Sequence, residues 1–156
     1  MGIFNRIGDI IKSNVNDLID RAEDPEKMVK QIIIDMQKEL KKSTEALGKA
    51  KTSERLAKRQ YENAVKVSAE WENKAKSALK AGNTELAKTA LAKKVKADED
   101  VANYKEMYES ISAQADAIAS QVDAVKAKLD EAKSRQAMLI ARSQMADTKK
   151  NLAQSL

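Results

Sequence analysis

Ser77-Ala78-Leu79-Lys80-Ala81-Gly82-Asn83-Thr84-Glu85-Leu86-Ala87 is the stretch that decides how this chain folds. Gly82 supplies the left-handed residue that commonly ends a helix, and Asn83 or Thr84 can cap the next one. On both sides of this break, apolar residues recur at the coiled-coil spacing. From Val29, steps of four and three residues reach Ala78 through fifteen positions, of which only Ser43, Glu54 and Ser68 are polar. From Ala87, the same steps reach Leu139 through sixteen positions, broken only by Lys94 and Gln136. Two such seams joined by a short turn predict an all-α fold, a long antiparallel coiled-coil hairpin with arms at about 26–80 and 84–156. Alanine is frequent along both seams, so the arms should approach closely. A fold at Gly82 sets a register in which facing residue numbers sum to roughly 165, with Tyr61 near Tyr104 and Trp71 near Lys94. The polar seam residues Glu54, Ser68 and Lys94 can be register-setting devices or sites for partners; register is the more common use, and Glu54 in particular can reach solvent.

Composition agrees with long helices rather than a thick core. Charged residues make up 34% of the 156 residues and aromatics 3%, with 4 glycines and a single proline. Such residues enter helices at little cost, and narrow seams need few large side chains. The absence of cysteine and histidine excludes disulfides and thiolate or imidazole metal sites. Close carboxylates such as Asp98-Glu99-Asp100 and Asp130-Glu131 are read as a solvated helix face rather than an acid–base pair. No GxxxxGK[ST] phosphate loop occurs, so neither an enzyme nor a cofactor is expected. The sequence pI is about 9.3. Its lysines are nevertheless interleaved with acids and its aromatics lie on the seam, so nucleic acid is not expected as a partner.

The second break is Glu23-Asp24-Pro25-Glu26. Asp24 suits a helix N-cap and Pro25 the first helical position, which makes the pair a hinge between an N-terminal helix (1–24) and the hairpin (25–156). Ahead of it, Ile3, Phe4, Ile7, Ile10, Ile11, Val15, Leu18 and Ile19 line one helical face, opposite Arg6, Asp9, Lys12, Asn16, Asp17 and Asp20. This stripe is broader than a coiled-coil seam and must be buried somewhere. It can lie in a membrane interface, or dock on its own hairpin or on a neighbouring subunit. No run of about 18 apolar residues exists that could cross a bilayer. Arg6, Asp9 and Lys12 interrupt any secretory signal, and Arg6 stands where a myristoylation motif wants Ser or Thr.

Charge divides unevenly. Residues 1–25 carry three Lys/Arg and five Asp/Glu, residues 26–82 fourteen and eight, and residues 83–156 twelve and eleven. The N-terminal helix is therefore slightly acidic, and a membrane role would rest on apolar insertion with only Arg6 and Lys12 to meet anionic headgroups. Further attraction would come from the basic first arm or from many subunits acting together. At the other end, the second arm outruns the first beyond about residue 139. Leu139, Ile140, Met145 and Leu152 then form an apolar overhang suited to self-assembly.

Several segments together resemble the family of phage-shock protein A and the vesicle-inducing protein in plastids, the bacterial and plastid ESCRT-III-like proteins. They are Met1-Gly2-Ile3-Phe4-Asn5-Arg6, Asn14-Val15-Asn16-Asp17-Leu18 and Ala22-Glu23-Asp24-Pro25-Glu26-Lys27-Met28. Gln31, Asp35-Met36, Trp71, the stretch from Ala78 to Ala87, Ala90-Leu91, Lys133 and Met138-Leu139-Ile140-Ala141-Arg142 complete the set. The resemblance implies no enzyme but a membrane stress-response protein, peripheral on the inner face of the cytoplasmic membrane or on a plastid or thylakoid membrane. It implies binding of anionic lipids through the first helix, and homo-oligomeric rings, rods or tubes of hairpins that remodel or protect the bilayer. For phage-shock relatives it also implies a regulatory role, restraint of a transcriptional activator ATPase. Family members usually carry further C-terminal helices beyond the point matching Leu156, which leaves the form of the polymer open.

Overall fold

A computed structural model describes the backbone of residues 3–156 and the side chains from Gly8 onward. The described residues are helical, in the order α1 (Ile3–Lys12), α2 (Val15–Asp20), α3 (Pro25–Lys80) and α4 (Thr84–Ser155), and α3 packs against α4 as a helical hairpin. The turn is built as its residue types require. The Asn83 amide donates to the Ala78 carbonyl at 2.9 Å and the Gly82 amide to the Leu79 carbonyl at 3.1 Å, with Gly82 at φ +74°. This is the paired closure that satisfies the last carbonyls of a helix, and it needs a residue tolerant of positive φ. Asn83 then caps α4, its side-chain oxygen accepting from the Leu86 amide at 3.1 Å.

All thirty-one positions generated by the heptad steps are buried or half-buried, and every residue from Ile140 onward is exposed. The chain forms two compact units. The turn unit, residues 47–118, buries only small side chains: Ala57, Ala64, Ser68, Ala75 and Ala78 from α3, and Ala87, Ala90, Ala97 and Ala115 from α4. Its polar seam residues Glu54 and Ser68 each bind a polar residue of the facing helix. Ser112 donates to Glu54 at 2.7 Å, and Ser68 donates to Asp98, which is paired with Lys94 at 2.8 Å. Glu54–Ser112 and Ser68–Asp98 each sum to 166, within one residue of the expected register.

Two aromatic details differ from expectation. Tyr61 stacks on Tyr108 rather than Tyr104, with ring centroids 6.2 Å apart. Long side chains on a helix lean along its axis and can meet a partner one turn away from the residue directly opposite. The cations over the Trp71 ring are Lys93 and Lys74, whose ammonium groups lie 5.6 Å and 4.4 Å from the indole centroid, while the Lys94 ammonium is paired with Asp98.

The terminal unit, residues up to 46 together with 119–156, has a core of bulkier side chains. Val29, Ile32, Ile33 and Met36 of α3 and Val125, Leu129 and Ala132 of α4 enclose it, and Ile10, Val15 and Ile19 of the N-terminal segment close it. Gln121 of α4 donates to Glu39 of α3 at 3.1 Å beside this core.

Candidate functional site

The N-terminal segment is two short helices rather than one. Asn14 interrupts it: with extended backbone angles (φ −77°, ψ 119°), its side-chain oxygen accepts from the Asn16 amide at 2.9 Å. Asn competes for the backbone in this way, which is why it favours caps over helix interiors. The segment ends at Arg21 and Ala22, whose amides donate to the Asp17 and Ile19 carbonyls. Asp24 then caps α3, accepting from the Lys27 amide at 3.2 Å, with Pro25 as the first helical residue.

Of the apolar stripe, Ile10, Val15 and Ile19 are buried in the terminal core, while Ile11 and Leu18 are partly buried against it. Lys12 is exposed. The side chains of Ile3, Phe4, Arg6 and Ile7 lie outside the described residues. Two polar tethers flank the docked face. Lys128 of α4 donates to the Ser13 carbonyl at 2.9 Å, placing a cation at the C-terminal end of α1 where the helix dipole favours it. Arg135 of α4 pairs with Asp20 at the end of α2 through one guanidinium nitrogen, while its buried Nε has no acceptor among the described residues. The arginine is therefore held along one edge, short of the bidentate geometry that gives such pairs their strength.

Ile32, Lys128 and Arg135 escape a reading by heptad steps. Ile32 is off the seam, yet it is buried because α1 and α2 cover that side of α3. The run Ile32-Ile33-Ile34 is the signal: it widens the apolar stripe of α3 beyond what one partner helix needs. The two tethers span 115 residues each, and no local pattern announces them. At the far end of α4, Leu139 packs on the terminal core, whereas Ile140, Met145 and Leu152 are exposed. Among the described residues no helix is long and apolar enough to cross a membrane.

The PspA/IM30 family model matches residues 2–156. Among curated proteins, the chain is 33% identical over 156 residues to the membrane-associated protein Vipp1 of Synechocystis, covering 100% of this chain and 58% of that protein. It is 33% identical over 152 residues to Vipp1 of Nostoc punctiforme, covering 97% and 59%, and 31% identical over 151 residues to LiaH of Bacillus subtilis, covering 96% and 67%. The chain thus spans about 60% of the length of the Vipp1 relatives it matches. Match along the whole chain, together with a capped N-terminal segment ahead of a heptad hairpin, establishes that this chain belongs to the PspA/IM30 family.

Proposed function

We propose that this chain is a peripheral membrane-binding, self-assembling scaffold that remodels or protects membranes under stress, in the manner of ESCRT-III proteins. The observation that carries the proposal is the N-terminal segment. Its large apolar residues form a stripe separate from the heptad seam, on two short helices divided at Ser13-Asn14 and bounded by Arg21 to Asp24. Relatives named as membrane-associated support the lipid surface as its target. Ile10, Val15 and Ile19 cannot face a bilayer while they close the terminal core, so insertion through the full stripe requires α1 and α2 to leave the hairpin. Docking and insertion bury the same face, so the change is an exchange of one apolar environment for another. Release breaks the Lys128 and Arg135 tethers, and a surface crowded with lipid headgroups offers both cations new anionic partners.

Assembly is assigned to the exposed part of α4, with Ile140, Met145 and Leu152 as the apolar contacts and Leu139 as the point where the chain's own core ends. Many weakly bound subunits then act as one strongly bound polymer. The membrane reading is tested with the full chain carrying Phe4→Ser and Ile7→Ser, two substitutions in the apolar stripe. Sedimentation with vesicles containing phosphatidylglycerol should fall steeply, while helicity by circular dichroism stays unchanged. Undiminished sedimentation of this variant would remove the N-terminal segment from the mechanism.

A further inference from the structure

Residues 71–96, which surround the hairpin turn, carry seven lysines and two glutamates, while the other 130 residues carry 22 charges of each sign. The whole formal surplus of the chain, +5, is therefore concentrated in one short region. Lys94 and Lys96 are taken up by Asp98, Glu99 and Asp100 on the next turn of α4, at 2.8–3.8 Å. Lys74, Lys76, Lys80, Lys88 and Lys93 then stand against Glu72 and Glu85, a surplus of three over residues 71–93. Set among these lysines are apolar side chains with no cover: Leu79 (59% exposed), Leu86 (55%), Leu91 (46%) and Val95 (61%).

Their placement matters. At 3.6 residues per turn, Leu86 falls on one flank of the buried Ala87, Ala90 and Ala97 line, and Leu91 and Val95 fall on the other. The two flanks open on opposite faces of the hairpin, so a planar surface meets one of them at a time. On the flank that carries Trp71, Lys74 and Lys93, Leu86 adds exposed apolar area beside long lysine stems, which suits a surface that is apolar below and anionic above. Trp71 sits at the same place, with Lys74 and Lys93 over its ring, on an open groove of about 460 Å³ that it shares with Ala78, Ala81, Leu86 and Ala90. An indole with an apolar face and a polar N–H is at home in a bilayer interface.

We infer that the turn region is a second lipid-contact site, a basic, leucine-studded end that settles on anionic bilayers separately from α1 and α2. The inference rests on the membrane reading above but uses different residues, and the chain carries its own reporter. Trp71 is the single tryptophan. The full chain is mixed with vesicles of equal parts phosphatidylglycerol and phosphatidylcholine whose acyl chains are brominated close to the headgroup. Trp71 emission should shift to the blue and be quenched, and vesicles of phosphatidylcholine alone should do neither. Lys76→Gln, Lys80→Gln and Lys88→Gln together cancel the surplus without touching Trp71. They should raise the lipid needed for half-maximal quenching by about tenfold or more, and the triple variant should still pellet through its N-terminal segment.

A chain that pellets with vesicles while Trp71 emission stays unshifted and unquenched would overturn the turn site and leave the N-terminal mechanism standing. A response to soluble polyglutamate with none to vesicles would overturn it in favour of an acidic protein partner. Failure of the unaltered chain to pellet would sink both readings. Quenching that persists in the Phe4→Ser, Ile7→Ser variant would establish the turn region as a contact in its own right.

Discussion

The turn unit and the terminal unit belong to the same hairpin and follow the same heptad rule, yet they bury different chemistry. Among the described residues, the turn unit buries alanine and one serine, and the terminal unit buries isoleucine, valine, methionine and leucine besides alanine, with Asp35 and Ser43 beside them. An alanine seam brings two helices close but offers little apolar area and few shapes that distinguish one register from the next. The turn unit makes up for this with cross-helix polar and aromatic contacts at Glu54–Ser112, Ser68–Asp98 and Tyr61–Tyr108. In the terminal unit the branched side chains reach further and leave an apolar flank around Ile32, on which a third layer can sit. Register is thus set by polar pairs in one unit, and a docking surface for the N-terminal segment is set by bulk in the other.

The sharpest way to break this contrast is to remove bulk where bulk is used. Ile32→Ala should destabilise the terminal unit by about 2–5 kcal/mol through lost burial and a residual cavity. Hydrogen exchange should show the loss in residues 8–46 and 119–139, with the amides of 47–118 far less affected. The complementary change adds bulk where there is no room. Ala64→Leu should overpack the turn unit at a cost of about 1–3 kcal/mol, read as a lowered urea midpoint and faster exchange in 57–78. If both changes cost the same and spread over both units, the two seams do not differ in the way described.

A smaller effect is expected at the tether. Asp20→Asn removes the counter-charge of Arg135, whose pair is partly exposed and made along one edge. It should weaken docking of α2 by about 1 kcal/mol. Exchange at residues 15–20 should rise severalfold, and half-maximal vesicle binding should move to lower lipid. Tighter docking or weaker vesicle binding in this variant would reverse the proposed order of release and insertion.

How much of this was legible in the sequence follows from the range of each interaction. The hairpin, its turn at Gly82 and all its seam positions are periodic or punctuated features, repeated often enough for no single residue to mislead. The break at Asn14 is harder, because Ile11, Val15 and Leu18 continue a helical stripe straight across it. One cap had to be weighed against an unbroken period, and the period masks it. The tethers from Lys128 and Arg135 are not periodic at all, and their partners are fixed by packing over 115 residues of separation. The polar seam residues stand between these extremes: their types marked them as register devices, but their partners Ser112 and Asp98 required the register itself.

The smallest expected effect concerns those register pairs and is a matter of pH. The hydrogen bond from Ser112, aided by Lys51, holds the Glu54 carboxyl below its ordinary value of 4.5, and Lys94 together with Ser68 holds Asp98 below 3.8. Lys94 is raised above 10.5 by Asp98. A carboxyl whose pKa is lower in the folded chain binds its proton more readily when unfolded. Its contribution is therefore complete above the ordinary carboxylate pKa and fades as pH falls through the lower folded value. Lys94 behaves in the opposite sense, contributing fully below 10.5 and losing its contribution as pH rises through the raised folded value. The turn unit should accordingly be equally stable from about pH 5 to pH 10 on this account and weaken at both ends. These groups are accessible to water, so raising the salt should flatten the profile. Ser112→Ala removes the largest influence on Glu54 alone, so it should diminish the acid limb and leave the alkaline limb unchanged. Urea midpoints across the pH range, followed by exchange in residues 47–118, measure both limbs. A Ser112→Ala chain with an unaltered acid limb would show that Glu54 does not set register through this bond.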